Sequence, residues 1–388
     1  MKILFIHNEY AKMSGEEQSV INLTQLLKEH GHTVDFLIRS SAEISNSFSG
    51  KIKSFFTGIH NPCAVHAVRQ KITEFKPDIV QIQNLYPLFS PSIIPAIKKM
   101  GIHVVMRCPN YRLFCPNGLC YDANGEICEQ CFGGHEWNCF KKNCLESSVK
   151  SLGYTARNLA ARVTGRILNH VDTFIVQTEF QRRKFINQGI PEDKLAILPG
   201  IAPKMEPPPE NWSIGNSVTY IGRVSAEKGI FDFLKAAESL PQIPFTVAGS
   251  YDAFPDLPQK SPNNVKWLGF LRGDALRKAY LDARIIVVPS RCYEGFPNVI
   301  VTAMIQERPV IATDLGSASS IITNDVDGRL FPFNNIDALT SSISELYNDE
   351  AACKRLALKG HESASMRFSA ESVYETLIKI YRKLVSID

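Results

Sequence analysis

The stretches YIGRVSAEKG at residues 220–229 and PSRCYEGFPN at residues 289–298 share one pattern. Each follows a short apolar run rich in β-branched residues, at 218–221 and 285–288, and each precedes an amphipathic stretch. This pattern is typical of the turn that joins a buried parallel strand to the next helix. Open α/β sheets bind ligands at such turns, outside the carboxyl ends of their strands. We therefore predict that both stretches contribute to one ligand site.

The charges in the two turns indicate the kind of ligand. Arg223 and Lys228 remain cationic at neutral pH, and the second turn leads into a helix amino terminus, which attracts phosphate. Glu294 would repel phosphate and is better suited to accept hydrogen bonds from sugar hydroxyls. A nucleoside-diphosphate sugar fits this combination. Two simpler interpretations stay open, a surface ion pair between Arg223 and Glu227 and a Glu294 that only favours its own helix dipole.

Strands alternate with helices along the whole chain, which predicts two parallel, doubly wound sheets. Residues 202–210 (APKMEPPPE) contain three consecutive prolines, which neither a helix nor a central strand accommodates, so this segment is the predicted linker. The predicted strands are 2–7, 33–38, 79–83, 104–107 and 173–177 before the linker, and 218–221, 245–247, 265–268, 285–288 and 310–312 after it.

The length and composition fit a globular protein with two domains. The chain has 388 residues, a hydrophobic fraction of 44% and a charged fraction of 21%. The net charge of +4 is too small to indicate nucleic-acid binding, and no apolar run is long enough to cross a membrane. The apolar start of the chain is too short for a signal peptide and is predicted to be a buried strand. We therefore expect a cytoplasmic protein.

Seven of the ten cysteines lie between residues 108 and 144, in a segment without clear periodicity. In a cytoplasmic protein such clustering favours metal binding over disulfides, and tetrahedral zinc often takes thiolates that come in close pairs. The predicted zinc ligands are Cys115, Cys128, Cys131 and Cys144. The metal would have a structural role. The alternative is a loop that packs reduced, buried cysteines.

Residues 150–170 are predicted to form a helix with one apolar face. Arg157, Arg162 and Arg166 lie off that face. Such a helix can dock on an anionic membrane surface, which would place the protein at the inner face of the plasma membrane. A domain helix with a solvated face is the alternative.

Several motifs together resemble the family-four retaining glycosyltransferases, and the resemblance covers nearly the whole chain. It is carried by Gly222-Arg223 with 227–229, by Pro289-Ser290 with 294–297, and by 309–312. Further matches are 78–84 and 178–180 with Lys184-Phe185, and the segments 110–113 and 115–118 look like a subgroup that acts in bacterial surface-polysaccharide synthesis.

The resemblance implies the fold called GT-B, in which two Rossmann-like domains face each other across a cleft. We predict an amino-terminal, acceptor-side domain at 1–203 with a Cys-rich insert at 108–144, a nucleotide-sugar-binding domain at 204–370, and a helix at 371–388 that packs back on the first domain. The resemblance also implies a set of site residues. The catalytic set is Arg223, Lys228 and Glu294, and the substrate-binding set is Gly15, Glu16, Gly222, Gly295, Phe296, Asn298 and Thr302.

The chain departs from the family pattern at three positions. Thr302 stands where the family has a second Glu that grips the ribose, Pro109 replaces a His, and Ser320 replaces a frequent Glu. The resemblance implies transfer, with retention, of a sugar from a nucleoside-diphosphate donor to a saccharide or lipid-linked acceptor, without a metal cofactor at the donor site. A non-catalytic nucleotide-sugar-binding protein and a nucleotide-sugar epimerase of the same fold are the alternatives.

Overall fold

A computed structural model describes residues 1–9, 15–40, 57–209 and 213–385 of the chain. The chain divides into two compact units. The first unit comprises Met1–Ala123, Cys128–Ile201 and Ala370–Asp388, and the second comprises Asn124–Ile127 and Ala202–Ser369. The division near residue 202 coincides with the proline-rich segment, of which Glu210 lies outside the described residues.

The first unit is built on a six-stranded parallel sheet with strand order β2-β1-β3-β4-β5-β6. Because β1 has β2 on one side and β3 on the other, the chain reverses its winding direction between β1 and β3. A crevice forms at such a point beyond the carboxyl ends of the strands. The strands are β1 Lys2–Glu9, β2 Thr33–Ser40, β3 Ile79–Ile82, β4 His103–Arg107, β5 Thr173–Val176 and β6 Leu195–Ile197.

Helices connect these strands, and polar side chains fix where several of them begin. Asn61, Ser147 and Thr178 each accept a hydrogen bond from a backbone N–H in the first turn that follows them, which satisfies a donor without a helical partner. The helices of the first unit are α1 Gly15–Glu29, α2 Pro62–Phe75, α3 Ile93–Lys98, α4 Trp137–Lys141, α5 Ser148–Val163 and α6 Glu179–Asn187.

The second unit has its own six-stranded parallel sheet, with order β12-β11-β10-β7-β8-β9. In this order the first and fourth strands of the unit, β7 and β10, are neighbours, as in dinucleotide-binding Rossmann folds. The winding direction reverses between them. The strands are β7 Ser217–Ile221, β8 Phe245–Ala248, β9 Val265–Gly269, β10 Ala283–Val288, β11 Val310–Asp314 and β12 Arg329–Pro332.

The helices of the second unit cover both faces of this sheet, which explains why its central strands are buried apolar runs rather than alternating ones. They are α7 Ile230–Ser239, α8 Gly273–Leu281, α9 Asn298–Ile305, α10 Ala318–Ile321, α11 Ile336–Asn348 and α12 Glu350–Arg367.

The last helix, α13 Ala370–Val385, belongs to the first unit although it follows the second unit in the sequence. Its apolar face enters the core that contains Ile3, Phe5 and Leu27. The Tyr374 ring also stacks on His30, with ring centroids 3.6 Å apart. The buried side chains of this face are Val373, Leu377, Ile378, Tyr381 and Leu384.

The structure adds elements that the sequence pattern did not predict. β6 and β12 each form one edge of a sheet, and they are only three and four residues long. A short edge strand carries too little apolar repeat to be recognised, and β12 also ends in a proline. The helices α4, α10 and α12 were missed as well. Within the described part of the chain, no helix is both long and apolar enough to span a bilayer.

Candidate functional site

The turns at residues 220–229 and 289–298 lie side by side at the switch point of the second sheet. One turn leaves β7 and the other leaves β10, and these two strands pair in parallel. The backbone N–H of Arg291 donates to the carbonyl oxygen of Glu227 at 2.9 Å, which joins the two turns directly. The sheet topology therefore brings together residues about 70 positions apart in the sequence.

Gly229 allows this close approach. Its φ of +76° lies in the left-handed region, which residues with a Cβ atom rarely adopt. A Cβ atom at this position would lie 1.8 Å from the carbonyl oxygen of Pro289. Position 229 therefore requires glycine for both its backbone conformation and its contact with the second turn.

Lys228 and Glu294 form an ion pair across the two turns. The Lys228 ammonium lies 2.5 Å from a carboxylate oxygen of Glu294, and the two side chains are only 29% and 15% exposed. The Ser290 hydroxyl donates to the other carboxylate oxygen. This arrangement fixes the orientation of the Glu294 carboxylate within the site.

Burial and ion pairing shift the pKa values of Glu294 and Lys228 in opposite directions. Burial by itself would raise the pKa of Glu294, but the attraction of Lys228 and the hydrogen bonds from Lys228 and Ser290 outweigh it and lower the pKa. Burial by itself would lower the pKa of Lys228, but the charge of Glu294 outweighs it and raises the pKa. Both groups are therefore ionised at neutral pH.

Arg223 is the exposed cation of the site. Its guanidinium is 63% exposed and lies 2.5 Å from the carboxylate of Glu227, four residues later. The Tyr220 hydroxyl donates to the carbonyl oxygen of Arg223 at 2.6 Å, which holds the backbone of the turn. The ion pair with Glu227 that the sequence left as an alternative is thus present. It occupies one side of a guanidinium that solvent still reaches.

The Ser317 side chain holds the backbone of the second turn through hydrogen bonds. Its fully buried hydroxyl lies 2.7 Å from the carbonyl oxygen of Glu294 and 2.8 Å from that of Gly295. Sequence reasoning missed both Ser317 and the role of Ser290. Ser290 lies inside the recognised stretch, whereas no sequence signal connects Ser317 to Glu294.

The remaining predicted contacts of the second unit lie at the start of α9. Gly295 and Phe296 are half-buried and Asn298 is exposed. Thr302 is buried, and its hydroxyl donates to the carbonyl oxygen of Asn298 one turn earlier, at 2.8 Å. The hydroxyl is therefore used within the helix, and the ribose contact of Thr302 stays a prediction. Gly222, the other predicted contact, follows β7 directly.

Two of the predicted site residues belong to the first unit. Gly15 and Glu16 form the start of α1, and their side chains lie outside the described part of the chain. His7 is buried in β1, and burial lowers its pKa, so the ring is neutral at neutral pH. Glu17 acts to raise that pKa and Arg107 to lower it further, which places both charges near the ring.

The Cys-rich insert is held by ion pairs and by local backbone hydrogen bonds. Lys142 lies 2.8 Å from Asp122, and Arg162 lies 2.6 Å from Glu136. Lys142 also contacts the Cys128 sulfur at 3.6 Å. A hydrogen bond with the Cys120 side chain lowers the pKa of Cys115 to about 7.

The zinc ligands predicted in this insert do not form a ready-made metal centre. All ten cysteines are free thiols in the structure. Among the described residues, no group of three or more His, Cys, Asp or Glu side chains is arranged to hold a metal ion. Zinc at Cys115, Cys128, Cys131 and Cys144 stays a prediction, as does the alternative of reduced cysteines packed in the loop.

Two family models match the chain. One, described as a glycosyl transferase 4-like domain, matches residues 14–200, and the other, described as glycosyl transferases group 1, matches residues 215–349. The two models cover most of the first unit before α13 and most of the second unit. The chain belongs to the group 1 glycosyltransferases and has the GT-B fold.

Two similar proteins are named a synthase and an N-acetylglucosaminyltransferase. Alpha-galactosylglucosyldiacylglycerol synthase of Streptococcus pneumoniae is 24% identical over 63% of this chain and 69% of the relative. Poly(ribitol-phosphate) alpha-N-acetylglucosaminyltransferase of Staphylococcus aureus is 25% identical over 55% of this chain and 44% of the relative. The chain thus spans about two thirds of one relative and less than half of the other.

The fold also resembles solved structures over its full length. Anabaena HepE, in a crystal structure with UDP-glucose, superposes with a TM-score of 0.66 at 17% identity and covers 99% of this chain and 100% of that chain. At this identity the likeness shows the fold alone. It agrees with the two parallel six-stranded sheets.

Proposed function

We propose that the protein is a retaining glycosyltransferase that takes its sugar from a nucleoside-diphosphate donor. The observation that carries this proposal is the Lys228–Glu294 ion pair at the switch point of the second sheet. A partly buried cation suits a diphosphate, and a carboxylate whose orientation is fixed suits sugar hydroxyls. A donor with both chemical groups satisfies both side chains.

The chemical role of the site is electrostatic. When the bond between the sugar and the diphosphate breaks, negative charge grows on the leaving diphosphate. In this proposal Lys228 and Arg223 stabilise that charge, together with the N–H groups at the start of α9. Each turn is held by hydrogen bonds, so little reorganisation is needed when the charge develops.

Glu294 is proposed to orient the donor sugar. Its low pKa keeps it an acceptor at neutral pH, and Ser290 and Lys228 already hold its two oxygens. Donor diphosphate would share Lys228 with Glu294 rather than meet an unpaired lysine. The net contribution of Lys228 to donor binding is therefore its interaction with the diphosphate minus the part of its interaction with Glu294 that is lost.

We infer that the acceptor is a saccharide or lipid-linked saccharide in cell-surface polysaccharide synthesis. The family supports this, as do two relatives whose names denote a glycolipid synthase and a transferase to poly(ribitol-phosphate). Action at the inner face of the plasma membrane is part of the same proposal. The exposed apolar side chains Val149, Leu152 and Val163 on α5 support it, whereas Arg157 is buried and Arg162 pairs with Glu136.

The test is a donor screen followed by product analysis. Nucleoside-diphosphate sugars that raise the melting temperature identify the donor, because a ligand specific to the folded state stabilises it. Transfer to saccharide or lipid-linked acceptors is then followed, and NMR coupling constants give the anomeric configuration of the product. Inversion would contradict the retaining mechanism, and donor binding without transfer would favour the non-catalytic alternative, which Pro109 and the buried Thr302 motivate.

A further inference from the structure

A small pocket lies in the first unit at the carboxyl ends of β3 and β4. Gln83 and Asn84 follow β3, and Arg107 ends β4. The half-open cavity measures about 50 Å³. This volume is far below the roughly 300–1,000 Å³ of pockets that enclose a whole small molecule. The pocket therefore suits one small polyatomic group that is part of a larger ligand.

The charges around the pocket select an anion. Arg107 and Arg112 both line it, and its described lining residues include no Asp or Glu. A third guanidinium, that of Arg157, stacks over the ring of the lining residue Tyr86 at 3.8 Å. Glu17 and Arg107 both act on the pKa of His7, so a carboxylate also lies near this cluster. The charged residues that line the pocket are thus both cationic.

An unsatisfied donor gives independent evidence for a ligand. The Gln83 side chain is 3% exposed, and its Nε2 atom has no hydrogen-bond partner among the described residues. A buried donor without a partner costs about 1–3 kcal/mol of stability. A ligand oxygen in the pocket would satisfy this donor.

Hydrogen bonds fix the backbone of the turn after β4 at Arg112. Asn158 donates to the carbonyl oxygen of Arg112 at 2.6 Å, and the Arg112 backbone N–H donates to the Asn110 side chain at 3.0 Å. Gly118 has a φ of +82°, and a Cβ atom there would lie 2.7 Å from Cγ of Arg112. The glycine leaves room for the arginine stem beside the pocket.

We propose that this pocket, which we call the Arg107–Arg112 pocket, binds a phosphate group of the acceptor. Arg107, Arg112 and the Gln83 amide would donate to the phosphate oxygens. Arginine suits this task because its planar guanidinium matches phosphate geometry. The proposal rests on the proposed function in one respect, since it assigns the phosphate to the acceptor. The donor diphosphate is assigned to Arg223 and Lys228 of the second unit.

The first test measures binding of inorganic diphosphate to the full chain by calorimetry. The background is the double variant Arg223→Ala/Lys228→Ala, which removes the donor cations. Diphosphate should still bind, and Arg112→Gln and Gln83→Met should each weaken it by about ten- to a hundredfold. Arg183→Gln, an exposed arginine on α6, is the matched control and should leave the affinity unchanged. No binding in the background, or equal loss in the control, would overturn the proposal.

Gln83→Met also separates a binding role from a structural one. It removes an unsatisfied buried donor and nearly keeps the side-chain volume, so the melting temperature should stay the same or rise while diphosphate affinity falls. If both stability and affinity fall, the loss of binding reflects damaged structure and the role of Gln83 is refuted.

The second test identifies the source of the phosphate. Transfer is compared for phosphatidylcholine vesicles that contain polyprenyl diphosphate-linked sugar, for soluble glycerol-phosphate oligomers and for neutral saccharides. The KM for the phosphate-bearing acceptor that is used should rise about tenfold or more in Arg112→Gln, with kcat changed less. If the wild type uses neutral and phosphate-bearing acceptors equally well, or if Arg112→Gln raises the KM equally for both, the acceptor assignment is refuted. If no donor supports transfer, the proposed function fails, whereas diphosphate binding that depends on Gln83 and Arg112 would still support the pocket.

Discussion

At the scale of single residues, the proposed donor site consists of two ion pairs. Arg223 is paired with Glu227, and Lys228 is paired with Glu294. The two pairs differ in burial, because Arg223 is 63% exposed whereas Lys228 is 29% exposed. An exposed pair contributes little to folding, whereas breaking a buried pair leaves an uncompensated charge. The two cations should therefore respond differently to substitution.

Arg223→Ala should weaken nucleoside-diphosphate binding by about 1.5–3 kcal/mol, the usual worth of a charge-assisted hydrogen bond. The free energy of unfolding should change by no more than about 0.5 kcal/mol, because the side chain is exposed. Calorimetry measures the first quantity and urea unfolding the second. Arg272→Ala, another exposed arginine of the second unit, is the control. Unchanged nucleotide affinity would remove Arg223 from the donor site.

Lys228→Met should cost stability as well as nucleotide affinity, because it leaves the Glu294 carboxylate without its cation. The double variant Lys228→Met/Glu294→Gln should be more stable than Lys228→Met alone, since replacing both partners removes the stranded charge. Urea unfolding of the wild type, the two single variants and the double variant gives the coupling free energy between Lys228 and Glu294. We expect roughly 1–3 kcal/mol at neutral pH. A coupling near zero would show that the ion pair does not form in solution.

The coupling should also depend on pH in a defined direction. The folded-state pKa of Glu294 lies below the ordinary value of 4.5, so its contribution is full above that pH and is lost as pH falls through the lowered pKa. The folded-state pKa of Lys228 lies above 10.5, so its contribution is full below that pH and is lost as pH rises through the raised pKa. The coupling should be constant across neutral pH. A fall near pH 7 would contradict the assigned directions.

At the scale of elements, Gly229 allows the two turns of the site to approach each other. Gly229→Ala should destabilise the second unit more than Gly273→Ala does. Both glycines have positive φ, but a Cβ atom meets Pro289 only at position 229 and meets nothing within 4 Å at position 273. Adopting the left-handed conformation costs about 1–2 kcal/mol at either position. The additional loss of unfolding free energy at position 229, measured by urea unfolding, gives the cost of the contact between the Cβ atom and Pro289. Equal losses at the two positions would contradict this contact.

The Cys-rich insert tests the metal prediction. If Cys115, Cys128, Cys131 and Cys144 bind zinc, the purified protein should contain about one zinc per chain, and chelation should speed proteolysis between residues 108 and 150. Cys292→Ser and Cys353→Ser, buried cysteines of the second unit, should retain the metal. Metal-free protein in which the four thiols titrate freely would refute the prediction.

At the scale of the whole molecule, the chain returns to the first unit with its last helix. Leu377 on α13 is fully buried in the core of that unit, and the Tyr381 hydroxyl donates to the Gln81 side chain on β3. Leu377→Ala should cost about 2–5 kcal/mol because it opens a cavity in that core. Hydrogen exchange should show the loss of protection in the first unit and not in the second, with Lys379→Ala, an exposed position, as the control. A loss confined to the second unit would contradict the placement of α13.

The sequence by itself determined the class of fold and the two turns of the site. Long apolar runs and helical repeats mark central strands and amphipathic helices, so ten of the twelve strands were predicted close to their observed positions. The charged residues Arg223, Lys228 and Glu294 were identified because strand-to-helix turns lie at one edge of a parallel sheet. Each of these signals lies within one short segment of the sequence, so it can be recognised without knowing the tertiary contacts.

Only the tertiary structure decided the rest, because it depends on contacts between distant segments. The edge strands β6 and β12 form by pairing with a neighbour and have little repeat of their own. Most of the buried residues of helix α12 are small, among them Ala357, Gly360 and Ala364, so the helix has a weak apolar pattern. The Ser317 contact with Glu294 and the set of Gln83, Arg107 and Arg112 around one pocket arise from strand order. No periodicity within a segment encodes which strands become neighbours, since that choice follows from how whole helices pack on whole sheets.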